Sequence, residues 1–206
     1  MTENLVVLES QADAVANLAR SVDLDARLPH RVFTEKYAEV YVTDWRALIH
    51  RSTVEISKAL IELEGSSVVA LGRLDRPRTG PQDWREDVFF ISAATQPDKY
   101  HSFLRRNSAE FGLKRETPET REPWAFAQRI GVCSDLGTWC MYGELCAEIA
   151  VLGFRVRPTE QQAAKLYDDF HIEKLTDALK RDTFFGDPGN EHSERQRAIL
   201  HSAYLP

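Results

Sequence analysis

Between residues 124 and 154 the chain reads WAFAQRIGVCSDLGTWCMYGELCAEIAVLGF, an alternation broken at Asp135-Leu136-Gly137 and again at Gly143. This pattern predicts three short strands in an antiparallel meander. In its last strand, period two puts Leu145, Ala147, Ile149 and Val151 on one face and Cys146, Glu148, Ala150 and Leu152 on the other. Residues 67–74 (SVVALGRL) and 88–94 (VFFISAA) are apolar on both parities, which predicts two further strands covered on both sides.

Helical spacing governs the rest. Over 10–22, Ser10 stands as N-cap, and Val15, Leu18, Ala19 and Val22 share a face. Over 44–64, Trp45, Leu48, Ile49, Ile56, Leu60 and Leu63 recur with a helical period, and Gly65 stops the run. Pro97 opens a helix carrying Tyr100, Phe103, Leu104 and Phe111, which Gly112 ends. Further helices are predicted at 159–169, capped by Thr159, at 171–182 through Ile172, Leu175 and Leu179, and at the end through Ala198, Ile199 and Leu200. Residues 32–42 carry both signals, with Phe33, Tyr37 and Tyr41 at helical spacing and Val40, Tyr41 and Val42 strand-like. They predict a short helix passing into an extended end. Prolines and glycines mark loops at 76–84, 114–123 and 186–190. The order predicts an α+β fold: a five-stranded, mainly antiparallel sheet with a C-terminal meander, packed by helices. Residues 1–157 form the α+β domain, and 158–206 a helical extension packing on it.

Composition narrows the class. Apolar residues make up 43% and charged residues 28%, values of a soluble globular protein with a real core. The opening MTENLVVLES has no basic region before an apolar run, which argues against an export signal. No run approaches the ~18 apolar residues a membrane span needs. Three cysteines on such a chain predict a reduced, cytoplasmic protein. The net charge is -6, spread as -4 over residues 1–70, +2 over 71–131 and -4 over 132–206. An acidic chain without a basic stripe repels phosphate backbones, which argues against nucleic acid. The middle third, with Arg73, Arg76, Arg78, Arg85, Arg105, Arg106, Lys114 and Arg115, is where an anion would be welcomed. Its interspersed acids predict a solvated mixed surface instead.

Glu148 is the most conspicuous candidate for chemistry, a lone acid in an uncharged run. A carboxylate on a covered face needs a cation or donors, and Arg129 on the first meander strand is the expected partner. Such a group serves either as a general acid or base or as half of a structural ion pair, and the structural role is preferred. Glu144 follows Gly143, whose glycine permits a bulge or a positive φ. A two-residue turn at Leu136-Gly137 would set Cys133 opposite Cys140, but the spacing to Cys146 is not that of a zinc knuckle. No histidine lies near Cys140 in sequence to activate it, so small apolar roles are expected for the thiols. Histidines at 30, 50, 101, 171, 192 and 201 make no metal pattern, and Asp23-Leu24-Asp25 is a common loop pair. No glycine-rich phosphate loop or nucleophile motif occurs, so neither cofactor nor metal is expected.

Asp168, Asp169, Glu173, Asp177, Asp182 and Asp187 give the C-terminal region an acidic surface beside Phe184 and Phe185. The expected function is therefore a non-catalytic cytoplasmic module, accessory or immunity-like, that binds a protein partner with a basic surface. The alternative is a small hydrolase-type enzyme using Glu144 or Glu148 with Cys140 or a histidine at the Gly143 end of the sheet.

Overall fold

A computed structural model describes residues 2–49, 52–74, 88–100, 102, 127–181 and 191–205, with the side chains of 2–8 and 192 left aside. Its helices are α1 (Thr2–Ser21), α2 (Ser52–Glu64), α3 (Glu160–Phe170), α4 (Leu175–Ala178) and α5 (Glu191–Tyr204). Its strands are β1 (Glu39–Asp44), β2 (Val68–Arg73), β3 (Val88–Ser92), β4 (Arg129–Ser134), β5 (Trp139–Glu144), β6 (Ile149–Phe154) and β7 (Glu173–Lys174). They form one antiparallel sheet in the order β3-β2-β4-β5-β6-β1-β7.

The sheet has seven strands where five were expected. One addition is β1, in the segment read as a helix running into an extended end. Its Val40, Tyr41 and Val42 pair with Gly153, Leu152 and Val151 of β6, so strand propensity prevails at its end of the segment. The other is β7, within the helix expected over 171–182. His171, at φ 55°, closes α3 in a left-handed turn, and the chain runs extended so that Glu173 and Lys174 pair with Val42 and Tyr41. The spacing of Ile172 and Leu175 reflects sheet packing instead, since the two lie in clusters on opposite faces.

The meander of β4, β5 and β6 stands at 129–154, with Cys133 directly opposite Cys140. Its first break is where expected, between Ser134 and Trp139 with Gly137 at φ 66°, but its second is not where glycine suggested. Gly143 sits inside β5, paired to Ile130 and Ala150. Its missing side chain admits Trp45 and Leu48, because a Cβ there would lie 2.6 Å from the Trp45 ring and 2.5 Å from a Leu48 methyl. The turn comes after Glu144, as a 3-10 turn over Leu145–Ala147 followed by Glu148 at φ 56°, ψ 16°. The last strand therefore begins at Ile149, not Leu145, and the alternation assumed for Cys146 and Glu148 does not exist.

Both faces of the sheet are covered. Trp45, Leu60, Val69, Leu71, Trp139, Met141, Leu152 and Leu166 pack on the side of α2 and α3. Leu18, Val32, Tyr37, Cys140, Tyr142, Val151, Leu175 and Leu200 pack on the side of α1, α4 and α5. Helix α1 begins at Thr2, ahead of the expected cap Ser10, and buries Ala14 and Leu18. The helix expected over 44–64 is split. Asp44 caps a 3-10 turn over Trp45–Leu48 by accepting from the Arg46 N–H at 2.7 Å, and α2 then runs to Gly65, at φ 77°. Thr159 caps α3 reciprocally with Gln162. Residues 97–100 are helical, and the buried Tyr100 hydroxyl donates to the Leu48 carbonyl at 2.8 Å. The rest of that helix and the loops at 76–84, 114–123 and 186–190 lie outside the described residues. Among the described residues no helix is long and apolar enough to cross a membrane.

Candidate functional site

The three residues singled out by sequence do not converge. Glu148 is exposed at its left-handed corner, where its carbonyl accepts from the Trp45 N–H at 3.1 Å. Arg129 pairs in register with Glu144 rather than Glu148. Glu144 is buried, and one carboxylate oxygen accepts from the Leu28 N–H at 2.9 Å and from the Tyr142 hydroxyl at 3.1 Å. Its other oxygen lies 3.7 Å from the Arg27 guanidinium. Arg129, beside it, donates to the Leu24 carbonyl at 2.7 Å. Burial, then the Glu144 charge, pushes the Tyr142 phenol well above its ordinary range. The cluster is a clasp that fastens the 24–28 loop over the sheet end, with one Glu144 oxygen accepting two hydrogen bonds and the other facing the Arg27 guanidinium.

Cys140 shares a face with Tyr142 and Glu144 but stands further along β5, and it is fully buried. Burial, then its neighbour Cys133, pushes its thiol up, the reverse of what a nucleophile requires. Trp139 faces the opposite side of the sheet from Tyr142. Cys146 is exposed. Asp23 caps its own turn by accepting from the Asp25 N–H at 3.0 Å, and among the described residues no three His, Cys, Asp or Glu side chains gather to hold a metal.

Among the described residues, the acidic C-terminal surface keeps only part of the set its sequence suggested. Asp168 and Asp169 are exposed on α3, but Glu173 is buried beside Arg181 at 3.4 Å and Asp177 pairs with Lys180 at 3.2 Å. Asp182, Phe184, Phe185 and Asp187 lie outside the described residues. In the basic middle third, Arg73 is buried and Arg129 serves the clasp, while Arg76, Arg78, Arg85, Arg105, Arg106, Lys114 and Arg115 also lie outside them.

What the fold does assemble was missed in sequence. A cleft of about 640 Å³ opens where β1 begins and β6 ends, bounded by Lys174, Thr176 and the end of α5. It continues past Tyr37 and Tyr204 into a recess of about 190 Å³ lined by Arg31 and Phe33. Five cations line the two (Arg31, Lys36, Arg155, Arg157 and Lys174) against the carboxylates of Glu35 and Glu39, a formal +3 on a chain of -6. Glu35 pairs with Arg155, and Glu39 with Lys174 and with the Tyr41 hydroxyl. Arg31, Lys36 and Arg157 are exposed and have no ion-pair partner among the described residues. The floor is rigid. Tyr37 lies on Gly153, where a Cβ would come 2.6 Å from its ring. Tyr204 donates its hydroxyl to the His30 carbonyl at 3.0 Å and accepts from the Val32 N–H at 2.9 Å. The available signal is Arg155-Val156-Arg157, directly after the meander and just before the boundary expected between residues 157 and 158.

No family model matches this chain, and no curated protein and no solved structure matches it significantly.

Proposed function

We propose that the chain is a non-catalytic binding module whose recognition site is the cationic cleft at the β1–β6 end of the sheet, and that its partner is an anion. The single observation that carries this reading is the concentration of five cations around one concavity of a net acidic protein. A cleft lined by one sign of charge focuses its field and raises the local concentration of the opposite sign. The C-terminal end of α5 brings roughly half a negative charge to the same place, which the formal +3 outweighs. Catalysis finds less support. A general base must reach a substrate proton, yet Glu144 is buried with its oxygens engaged, and neither Glu148 nor Cys140 lines the cleft.

Titration of the full chain with pyrophosphate, followed by amide shift mapping, tests the proposal. The expected response saturates, weakens with salt and centres on Lys36, Arg155 and Arg157. Non-saturating shifts scattered over the surface overturn it. A saturating response to a lysine hexapeptide at Asp168 and Asp169, with none to pyrophosphate, would move recognition to the acidic face and a basic partner.

A further inference from the structure

Resting on the anion-binding reading above, we infer that the cleft takes a small phosphate ester carrying a flat ring, a ligand of nucleotide size. Its size is right, since small-molecule sites occupy roughly 300–1,000 Å³, and the cleft is about 640 Å³ with a recess of about 190 Å³. The two ends differ in chemistry. The recess is floored by an aromatic set in which Phe33 meets Tyr37 at 4.8 Å and 65° and Tyr204 at 6.0 Å and 75°. Phe33 and Tyr37 are buried, so the partly exposed Tyr204 ring, fixed through its hydroxyl, is the surface offered to a planar group. The wider end presents Lys36, Arg155, Arg157 and Lys174. A guanidinium fork matches two phosphate oxygens, and Glu35 already holds Arg155 in place.

A peptide fits less well. A docking strand needs a free backbone edge, but β7 occupies β1 at Tyr41 and Val42, and the helical turn α4 follows at once from Leu175. The open edge is too short for a ladder. A bare anion would use the cations alone and leave the partly exposed Tyr204 ring uncovered.

Calorimetry on the full chain with four probes tests this: adenosine diphosphate, pyrophosphate, adenosine and a glutamate hexapeptide. Adenosine diphosphate is expected to bind about tenfold or more tighter than pyrophosphate, and adenosine to give no measurable binding. The exposed double variant Lys36→Glu, Arg157→Glu is expected to weaken adenosine diphosphate by about tenfold or more. Lys165→Glu, on α3 over the other face of the sheet, is expected to change nothing. If pyrophosphate matches adenosine diphosphate and both depend on Lys36 and Arg157, the ring is not recognised and this inference falls while the anion-binding module stands. If the hexapeptide binds tightest, the small-ligand assignment falls alone. If no probe responds to the double variant, or Lys165→Glu weakens binding equally, both fall.

Discussion

Glu144 and Glu148 are four positions apart in one chain segment and live in opposite worlds. Glu144 is buried and satisfies the Leu28 N–H and the Tyr142 hydroxyl, so its loss leaves two buried donors unmatched. Glu148 makes no such bonds, and its backbone sits at φ 56°, a region that costs an L-residue roughly 1–2 kcal/mol. The two substitutions should therefore have opposite signs. Glu144→Ala is expected to lower unfolding stability by about 1–3 kcal/mol, and Glu148→Gly to raise it by up to about 1 kcal/mol. Urea titrations of the two variants read both. A stability loss in Glu148→Gly would mean that the left-handed corner does not exist. The sequence marked both acids as notable but assigned their surroundings wrongly. Orientation depends on the corner after Glu144, which is held by a contact from Trp45, about a hundred residues away. Periodicity cannot register a bond of that span.

Elements were legible where a local pattern and the tertiary demand agree. The meander shows short apolar runs parted by a turn at Asp135–Gly137, β2 is apolar on both parities, and α3 carries its own capping box, and all three form near the expected positions. The failures are elements whose cause is remote. Strand β7 is two residues long and exists because β1 offers an edge. Gly143 looks like a break because glycine ends many strands, yet here it makes room for Trp45. Gly153 has the same role on the other face, beneath Tyr37. Gly153→Ala should therefore cost about 1–3 kcal/mol by overpacking and should weaken anion binding by displacing a cleft residue. The cause can be isolated with a double-mutant cycle. In a Tyr37→Ala background the alanine at 153 has room, so its penalty should shrink to a small fraction of the original. An unchanged penalty in that background would mean the glycine is needed for backbone reasons and not for the ring.

At the scale of the whole molecule, charge was legible as a total but not as a field. Arg31, Lys36, Arg155, Arg157 and Lys174 come from three separate stretches, and the segmental count spread them over thirds that are net acidic. What the count could not show is how the fold treats ionisable groups it encloses. Five of the six tyrosines (Tyr37, Tyr41, Tyr100, Tyr142 and Tyr204) are pushed above the ordinary value of 10.0, in each case first by burial. The Cys140 thiol is pushed up for the same reason. The fold therefore prefers all six groups neutral. Below the unfolded values, folded and unfolded chains bind the same protons at these sites, and their contribution to stability is fully present. As pH rises past about 10, the unfolded chain releases phenolic protons that the folded chain retains, so stability falls, and it continues to fall up to the raised folded values. Urea midpoints should thus be insensitive to these groups up to about pH 8, decline slightly as the unfolded thiol ionises, and drop steeply above about pH 10. Without denaturant, the tyrosinate absorbance of the buried set should rise in step with loss of the fold. A gradual rise near pH 10 worth more than the one exposed phenol, Tyr167, with the fold intact, would show that the enclosed phenols are open to water and that the faces of the sheet are not closed over them.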